Sequence, residues 1–277
     1  MAAPDYEALA NAHMRSQVAH AGTVQAALAR LWDETIDPAD IPGSFLRFRA
    51  RAAIYIGAGR IQSDRVADTY MRAIKDLAGL DAPVLVPVEA LPAGRIEASL
   101  SAASSKALAR ASATTDNAED LALAKEAMLG SAKRQIINAS RARVIESTRR
   151  DPQLGRRARV GDGNPCAFCS MLISRGPVYS AISAHFAAHD KCGCNARPVT
   201  PGDNGWSPEA RRYRDAWDAD TRAAMRAYFE QQGLAVPERY FAREGEESFR
   251  TLMRLRANDK QNARRRKARA EQLGLAA

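Results

Sequence analysis

All four cysteines of this 277-residue chain fall between Cys166 and Cys194, spaced as Cys-x2-Cys, 22 residues, then Cys-Gly-Cys. A Cys-x2-Cys pair on a tight turn points two thiolates at one metal ion, and two more ligands about twenty residues later complete a tetrahedral zinc site. Five residues are candidates for four positions, and the sequence does not choose among them: Cys166, Cys169, His189, Cys192 and Cys194.

Other uses of these cysteines are open. They can be packed as apolar side chains, or paired in disulfides, which require an oxidising compartment, and the N-terminus shows no signal peptide. A catalytic zinc would need an open position and a nearby carboxylate such as Asp162 or Asp190. A nucleophilic Cys/His pair would need a third, orienting group. The cysteine-rich ligand set favours a closed, structural site.

The first 150 residues are rich in alanine, and their apolar residues recur at spacings of three and four, which predicts helices. A first helix is predicted over residues 5–35, ended by Pro38 and Pro42. A second is predicted to begin after Ser44 as N-cap, and Gly57 and Gly59 are positions where it can kink or break.

A proline-containing connector, residues 81–92, follows with a short extended piece at residues 84–86. Helix is predicted again for residues 95–113. Asp116, with Glu119 three residues later, predicts the capped start of a long amphipathic helix that ends near Arg150.

Residues 151–205 contain 7 of the 17 glycines and all the cysteines, which predicts a small, turn-rich module. Its candidate strands are Arg157–Val160 and Ala196–Thr200, and Ser207-Pro208 opens another helix. The predicted fold is mainly α, in three parts: an Ala-rich helical region (1–150), an α+β module stabilised by zinc (151–205) and a basic helical tail (206–277).

The chain has a formal net charge of +9, and most of that surplus lies near its end. Such a run is typical of sequence-independent contact with the phosphates of double-stranded DNA, although a solvated helix face or an acidic protein partner would suit it as well. The eight cations of this basic segment are Arg254, Arg256, Lys260, Arg264, Arg265, Arg266, Lys267 and Arg269.

The cysteine region also carries a resemblance. Its ordered pieces are Gly161-Asp-Gly-Asn-Pro-Cys-Ala-Phe-Cys-Ser-Met-Leu, Ser174-Arg-Gly-Pro-Val-Tyr179 and Ala188-His-Asp-Lys-Cys-Gly-Cys194, with Pro198. Residues 151–200 resemble the minor head proteins of tailed phages related to phage Mu protein F, most closely those of phages that infect actinobacteria. The first 150 residues agree with that family only in being helical and rich in Ala and Arg.

The resemblance implies a virion protein at or inside the portal vertex, made in the host cytoplasm and acting in head assembly, DNA packaging or DNA release. It implies the portal protein and the major capsid or scaffold protein as partners, with double-stranded DNA bound non-specifically. It carries over the metal-ligand positions Cys166, Cys169, His189, Cys192 and Cys194, and implies a supporting role for Arg175, Gly176, Pro177 and Tyr179.

Enzymatic alternatives stay open. Proteins of this group are often labelled capsid maturation proteases, and a serine protease here would have to use His13, His20, His185 or His189. An HNH-like nuclease would use His189 and Asp190 beside the cysteines. No run of about 18 apolar residues is present, so no membrane partner is expected.

Overall fold

The computed structural model describes residues 5–163, 165, 167–180, 186, 188–215 and 230. The chain divides into two compact units, Met1–Arg211 and Arg212–Ala277. The first unit is mainly helical and carries a three-stranded sheet. Its elements are α1 (Tyr6–Thr35), α2 (Ile41–Leu77), α3 (Ala93–Ala111), α4 (Ala118–Arg150), β1 (Arg156–Val160), α5 (Ala167–Ser174), β2 (Tyr179–Ser180) and β3 (Asn195–Val199).

The four long helices pack on one another around a large apolar core, and a second apolar cluster joins α1, α2 and α4 to the sheet. The rings of Trp32, Phe45 and Phe48 meet edge-on or stacked at one end of this core. Small residues such as Ala52 and Ala132 are fully buried between the helices, where they allow close packing. The predicted helical character of residues 1–150 is therefore confirmed for the described part of that region.

Helix α2 corrects two expectations. It begins at Ile41, before Pro42, because proline is tolerated in the first turn and the Asp40 carboxylate accepts a hydrogen bond from the Gly43 amide at 3.0 Å. It also continues unbroken through Gly57 and Gly59. A Cβ at Gly59 would lie 3.2 Å from Val24 and 3.3 Å from Ile136, so this glycine lets three helices approach closely.

The predicted cap at the start of α4 is also wrong. The residue preceding the helix is Asn117, not Asp116, and its side chain makes no capping hydrogen bond. The Asn117 amide instead contacts the carbonyl oxygen of Pro38 at 3.4 Å, so a tertiary contact replaces the predicted local one. Glu119 and Asp120 still lie in the first turn, where the helix dipole favours negative charge.

The connector between α2 and α3 forms no strand over residues 80–92. The Val84 amide donates to the Asp151 carboxylate at 3.1 Å, and the Val86 amide to the Ser147 hydroxyl at 3.0 Å. Asp151 also forms an ion pair of 2.8 Å with Lys75, and both side chains are only 1% exposed. This buried pair fixes the end of α4 and hence the start of the cysteine region.

The sheet has the order β2-β1-β3 and is antiparallel, with Arg156 opposite Val199 and Val160 opposite Asn195. Both predicted strands are confirmed to within one residue. Helix α5 replaces the tight turn predicted around Cys169. Its apolar sequence explains this, because Cys169 and Ile173, four residues apart, are both buried on one helix face.

Residues 208–215 are helical, and the Ser207 hydroxyl accepts a hydrogen bond from the Ala210 amide at 2.9 Å, which confirms the predicted N-cap. The basic segment and Cys166 lie outside the described residues. The predicted division of the chain at residues 150 and 205 stays a prediction. Helix α4, which ends at residue 150, packs directly on β3, which lies beyond it in the sequence. Among the described helices, none is both long and apolar enough to cross a membrane.

Candidate metal centre

Three of the four cysteines meet in the folded chain. The Sγ atoms of Cys169, Cys192 and Cys194 lie within 4.8 Å of one another, and none of these residues is in a disulfide. The Cys169 and Cys192 sulfurs are 3.6 Å apart. All three side chains are buried, with exposures between 1% and 4%. We call this group the sulfur cluster.

The sulfur cluster fits a metal ion. In a tetrahedral zinc site the Zn–S distance is ~2.3 Å, so neighbouring sulfurs are ~3.8 Å apart. The 3.6 Å between Cys169 and Cys192 is close to that value. Three thiolates suit a thiophilic ion such as zinc, although the donor set alone does not identify the metal.

Proton sharing within the sulfur cluster prepares it for a cation. The pKa of Cys192 is lowered, mainly by hydrogen bonding with the Cys169 and Cys194 thiols, with Arg141 nearby adding to the effect. Hydrogen bonding with Cys192, together with burial, raises the pKa of Cys169 to about 12, and hydrogen bonding with Cys169 and Cys192, again with burial, raises the pKa of Cys194. A bound divalent ion would stabilise the thiolate form of the sulfurs.

The second cysteine pair is held against one stripe of α4. The Lys191 amide donates to the carbonyl oxygen of Gly130 at 3.2 Å, and the Lys191 ammonium pairs with Glu126 at 2.5 Å. One turn further on, Arg134 forms an ion pair of 2.6 Å with Asp190. Residues four apart lie on the same face of a helix, so Glu126, Gly130 and Arg134 form one stripe of α4. This stripe contacts the loop that leads to Cys192.

Arg141 continues the stripe and contacts the cysteines themselves. Its Nε and Nη2 atoms donate to the Cys194 carbonyl oxygen at 2.8 and 2.6 Å, and Nη2 donates to the Cys192 carbonyl oxygen at 2.8 Å. Nη2 also lies 3.5 Å from the Cys192 sulfur, and Nη1 donates to Asn138 at 2.7 Å. Burial lowers the pKa of Arg141 to about 10, which leaves it charged at neutral pH.

A glycine is needed at position 193 because neighbouring side chains lie too close to its Cα for a Cβ, and not because its φ angle is unusual. Its amide donates to the Asp162 carboxylate at 2.8 Å. A Cβ at this position would lie 2.5 Å from that carboxylate and 2.9 Å from the Val18 methyl group. The spacing Cys-Gly-Cys thus lets both cysteines turn inward while the residue between them packs on α1.

The remaining predicted ligands are placed differently. His189 is exposed and is not in the sulfur cluster, and its Nδ1 atom lies 2.6 Å from the Asp190 carbonyl oxygen. Cys166 lies outside the described residues. The assignment of either Cys166 or His189 as the fourth ligand therefore stays a prediction. Asp162 and Asp190, considered as bases for a catalytic metal, bond instead to Gly193 and Arg134.

Two of the histidines considered for a protease, His13 and His20, lie on α1 and contact neighbouring helices. His13 lies 3.0 Å from the Ser140 hydroxyl, but Ser140 is fully buried and His13 is 5% exposed, so a substrate peptide cannot reach this pair without opening the helices. His20 contacts the Gly59 carbonyl oxygen at 2.9 Å. His185 lies outside the described residues.

Sequence reasoning missed Gly130, Arg134 and Arg141, which position the cysteine loop. One signal was present: a glycine inside a long helical pattern usually has a packing reason. No pattern pointed to Arg141, because its partners are backbone carbonyls 51 and 53 residues further along the chain.

Comparison with known proteins gives one match. No curated protein and no solved structure matches the chain. A protein family described as VG15 protein matches residues 5–220, which include the helices, the sheet and the sulfur cluster. This family is associated with phages. A match over this much of the sequence shows that the chain belongs to the VG15 protein family and points to a phage virion-associated protein.

Proposed function

We propose that the chain is a minor head protein of a tailed phage, located at or inside the portal vertex. It acts in head assembly, DNA packaging or DNA release through contacts with portal, capsid or scaffold protein and DNA. The observation that carries the proposal is membership of the VG15 family over residues 5–220. The resemblance of residues 151–200 to phage Mu F-like minor head proteins supports the more specific role.

The metal centre has a structural role in this proposal. Zinc would be held by Cys169, Cys192 and Cys194, with Cys166 or His189 as the fourth ligand. When bound, it neutralises the thiolates and locks α5 to the loop before β3. The three cysteine side chains are almost completely buried, which supports a closed site over a catalytic one.

Mass spectrometry of purified phage particles and of tail-free heads tests the proposed location. We expect the chain in both, in far fewer copies than the major capsid protein, and cross-linked to the portal protein. Its absence from purified particles would contradict a virion role. Cleavage of capsid or scaffold protein by the purified chain would instead support the alternative of a maturation protease.

The proposed DNA contact uses the basic segment, residues 254–269. Each phosphate neutralised contributes about −0.9 to the slope of log affinity against log salt for duplex DNA. Replacing Arg264, Arg265 and Arg266 by glutamine should therefore flatten that slope by up to about 2.7. An unchanged slope would show that this segment does not contact DNA.

A further inference from the structure

A cavity of about 160 Å³ lies beside the sheet, and no cysteine of the sulfur cluster is among its lining residues. Helix α5 supplies Phe168 and Leu172, β1 supplies residues 157–159, and α4 supplies Ile145. Phe168 is 40% exposed although it is a large aromatic residue. The volume is similar to the ~150 Å³ of a dry cavity that holds one benzene ring, so one ring or one leucine-sized side chain would fill it.

The turn after α5 brings two more residues to this cavity. Gly176 has a φ of 64°, and a Cβ there would lie 2.7 Å from the Trp206 ring, so only glycine suits the position. Arg175 and Tyr179, on either side of the turn, both line the cavity. The Ser-Arg-Gly-Pro-x-Tyr segment therefore shapes a cavity, which is more than the supporting role that the resemblance implied.

The cavity combines apolar walls with positive charge. Three guanidinium groups line it, from Arg157, Arg159 and Arg175, and the first two residues are only 5% and 4% exposed. The Arg159 guanidinium lies 3.8 Å from the centre of the Phe186 ring, and that of Arg175 lies 5.8 Å from the centre of the Tyr179 ring. Neither a carboxylate nor an amide is among the described lining side chains.

The polar lining also discriminates between ligand classes. Its side chains are donors that already have protein contacts: the Tyr179 hydroxyl donates to the Leu172 carbonyl oxygen at 2.8 Å, and Arg157 donates to the Ile145 carbonyl oxygen at 3.3 Å. A guanidinium has five N–H donors, so an arginine with one partner can still bind an anion. A nucleotide buried here would bring ribose hydroxyls and base N–H groups that need acceptors, and leaving them unpaired is costly. An apolar side chain next to a carboxylate needs only apolar walls and donors, provided that the peptide N–H groups stay in water, and an arginine fork matches a carboxylate closely.

We propose that this cavity binds the C-terminal residue of a partner protein, when that residue is apolar or aromatic and its α-carboxylate is free. The side chain fills the space among Ile145, Phe168 and Leu172. The α-carboxylate is paired with the guanidinium of Arg175 at the mouth, supported by the field of the two arginines of β1. The inference does not depend on the proposed function.

Fluorescence polarisation of three labelled octapeptides with a common Gly/Ser body tests the proposal. They end in Phe with a free carboxylate, in Phe-amide, and in Ser with a free carboxylate. With the full-length protein, we expect the Phe carboxylate peptide to bind at least tenfold more tightly than either control. Equal binding of acid and amide, or no binding of any peptide at millimolar concentration, would overturn the proposal.

Variants separate the cavity from general basicity. Arg175→Gln should weaken the Phe carboxylate peptide about tenfold and leave the amide unchanged, whereas Arg30→Gln, on the exposed surface of α1, should change neither. Leu172→Phe should fill the cavity and weaken both Phe peptides, with circular dichroism as the check on folding. Displacement of the peptide by an oligothymidylate with higher affinity would assign the cavity to nucleic acid instead and overturn the proposal.

Discussion

Arg141, in the second half of α4, donates two hydrogen bonds, of 2.6 and 2.8 Å, to the carbonyl oxygen of Cys194. The arginine is 2% exposed, and the cysteine belongs to the sulfur cluster. A helix remote in sequence thus fixes the backbone that presents two of the three sulfurs. Outer contacts of this kind typically change metal affinity by about 10–100-fold when they are removed.

The first prediction concerns this arginine. Arg141→Met leaves the carbonyl groups of Cys192 and Cys194 buried without their donor, at a cost of about 3 kcal/mol in the free energy of unfolding. We also expect zinc affinity, measured by competition with a chromogenic chelator, to fall at least tenfold. Arg149→Met, also on α4, is the matched control, because its pair with Glu146 is exposed and should contribute less than about 1 kcal/mol. Equal losses in the two variants would contradict a specific role for Arg141.

The second prediction concerns the ligand set. Purified protein should contain about one zinc ion per chain. Cys169→Ser, Cys192→Ser and Cys194→Ser should each abolish stoichiometric metal, measured by atomic emission spectrometry. If either Cys166→Ser or His189→Ala also abolishes stoichiometric metal, the residue replaced in that variant is the fourth ligand. If the ion is present at about 1,000 times its Kd, its removal by a chelator costs about 4 kcal/mol, which the melting temperature will show. Full stability in excess chelator would contradict a structural metal.

The sequence predicted the parts of this fold that depend on local pattern. Helical periodicity located α1, α3 and α4, and β-strand candidates at residues 157–160 and 196–200 lie within one residue of β1 and β3. The errors occurred where a distant contact replaced the local preference. Asn117 is held by Pro38 rather than acting as a cap, and Gly59 accommodates Val24 and Ile136 instead of breaking α2.

The candidate site was predictable to a similar degree. The spacing of the cysteines indicated that they would meet, and three of them do. The sequence could not separate His189 from the cysteines, because a spacing of two or three residues allows either to face a metal. It also gave no sign of Arg141 or of the cavity beside Arg175, since both are formed by segments that come together only on folding.

The third prediction tests the close approach at Gly193. Gly193→Ala would place a Cβ 2.5 Å from the Asp162 carboxylate, so the loop must shift. We expect a loss of about 1–3 kcal/mol in denaturant unfolding, together with weaker metal binding. Gly155→Ala is the control, because nothing lies within 4 Å of its added Cβ and its stability should change by less than about 0.5 kcal/mol. An unaltered metal affinity in Gly193→Ala would show that this packing does not position the cysteines.

The fourth prediction is a dependence of stability on pH that arises from His13. This side chain stacks on Tyr70 with ring centres 4.2 Å apart, and its Nε2 atom lies 3.0 Å from the Ser140 hydroxyl and 3.3 Å from the Asn195 amide. Burial lowers the pKa of His13 from 6.5 to about 3. Well above pH 6.5 the imidazole is neutral in both the folded and the unfolded chain, so it does not change the free energy of unfolding there.

Below pH 6.5 the unfolded chain binds a proton at His13 that the folded chain rejects, until the pH approaches 3. Stability should fall by about 1.4 kcal/mol per pH unit through this window, or about 2 kcal/mol between pH 6.5 and 5. His13→Gln, which does not titrate, should lose this part of the slope although it is less stable at pH 7. Urea unfolding of both proteins from pH 7.5 to 5 isolates the effect, because the cysteines and carboxylates titrate in both. Parallel stability curves would show that His13 is not the group that makes the fold sensitive to acid.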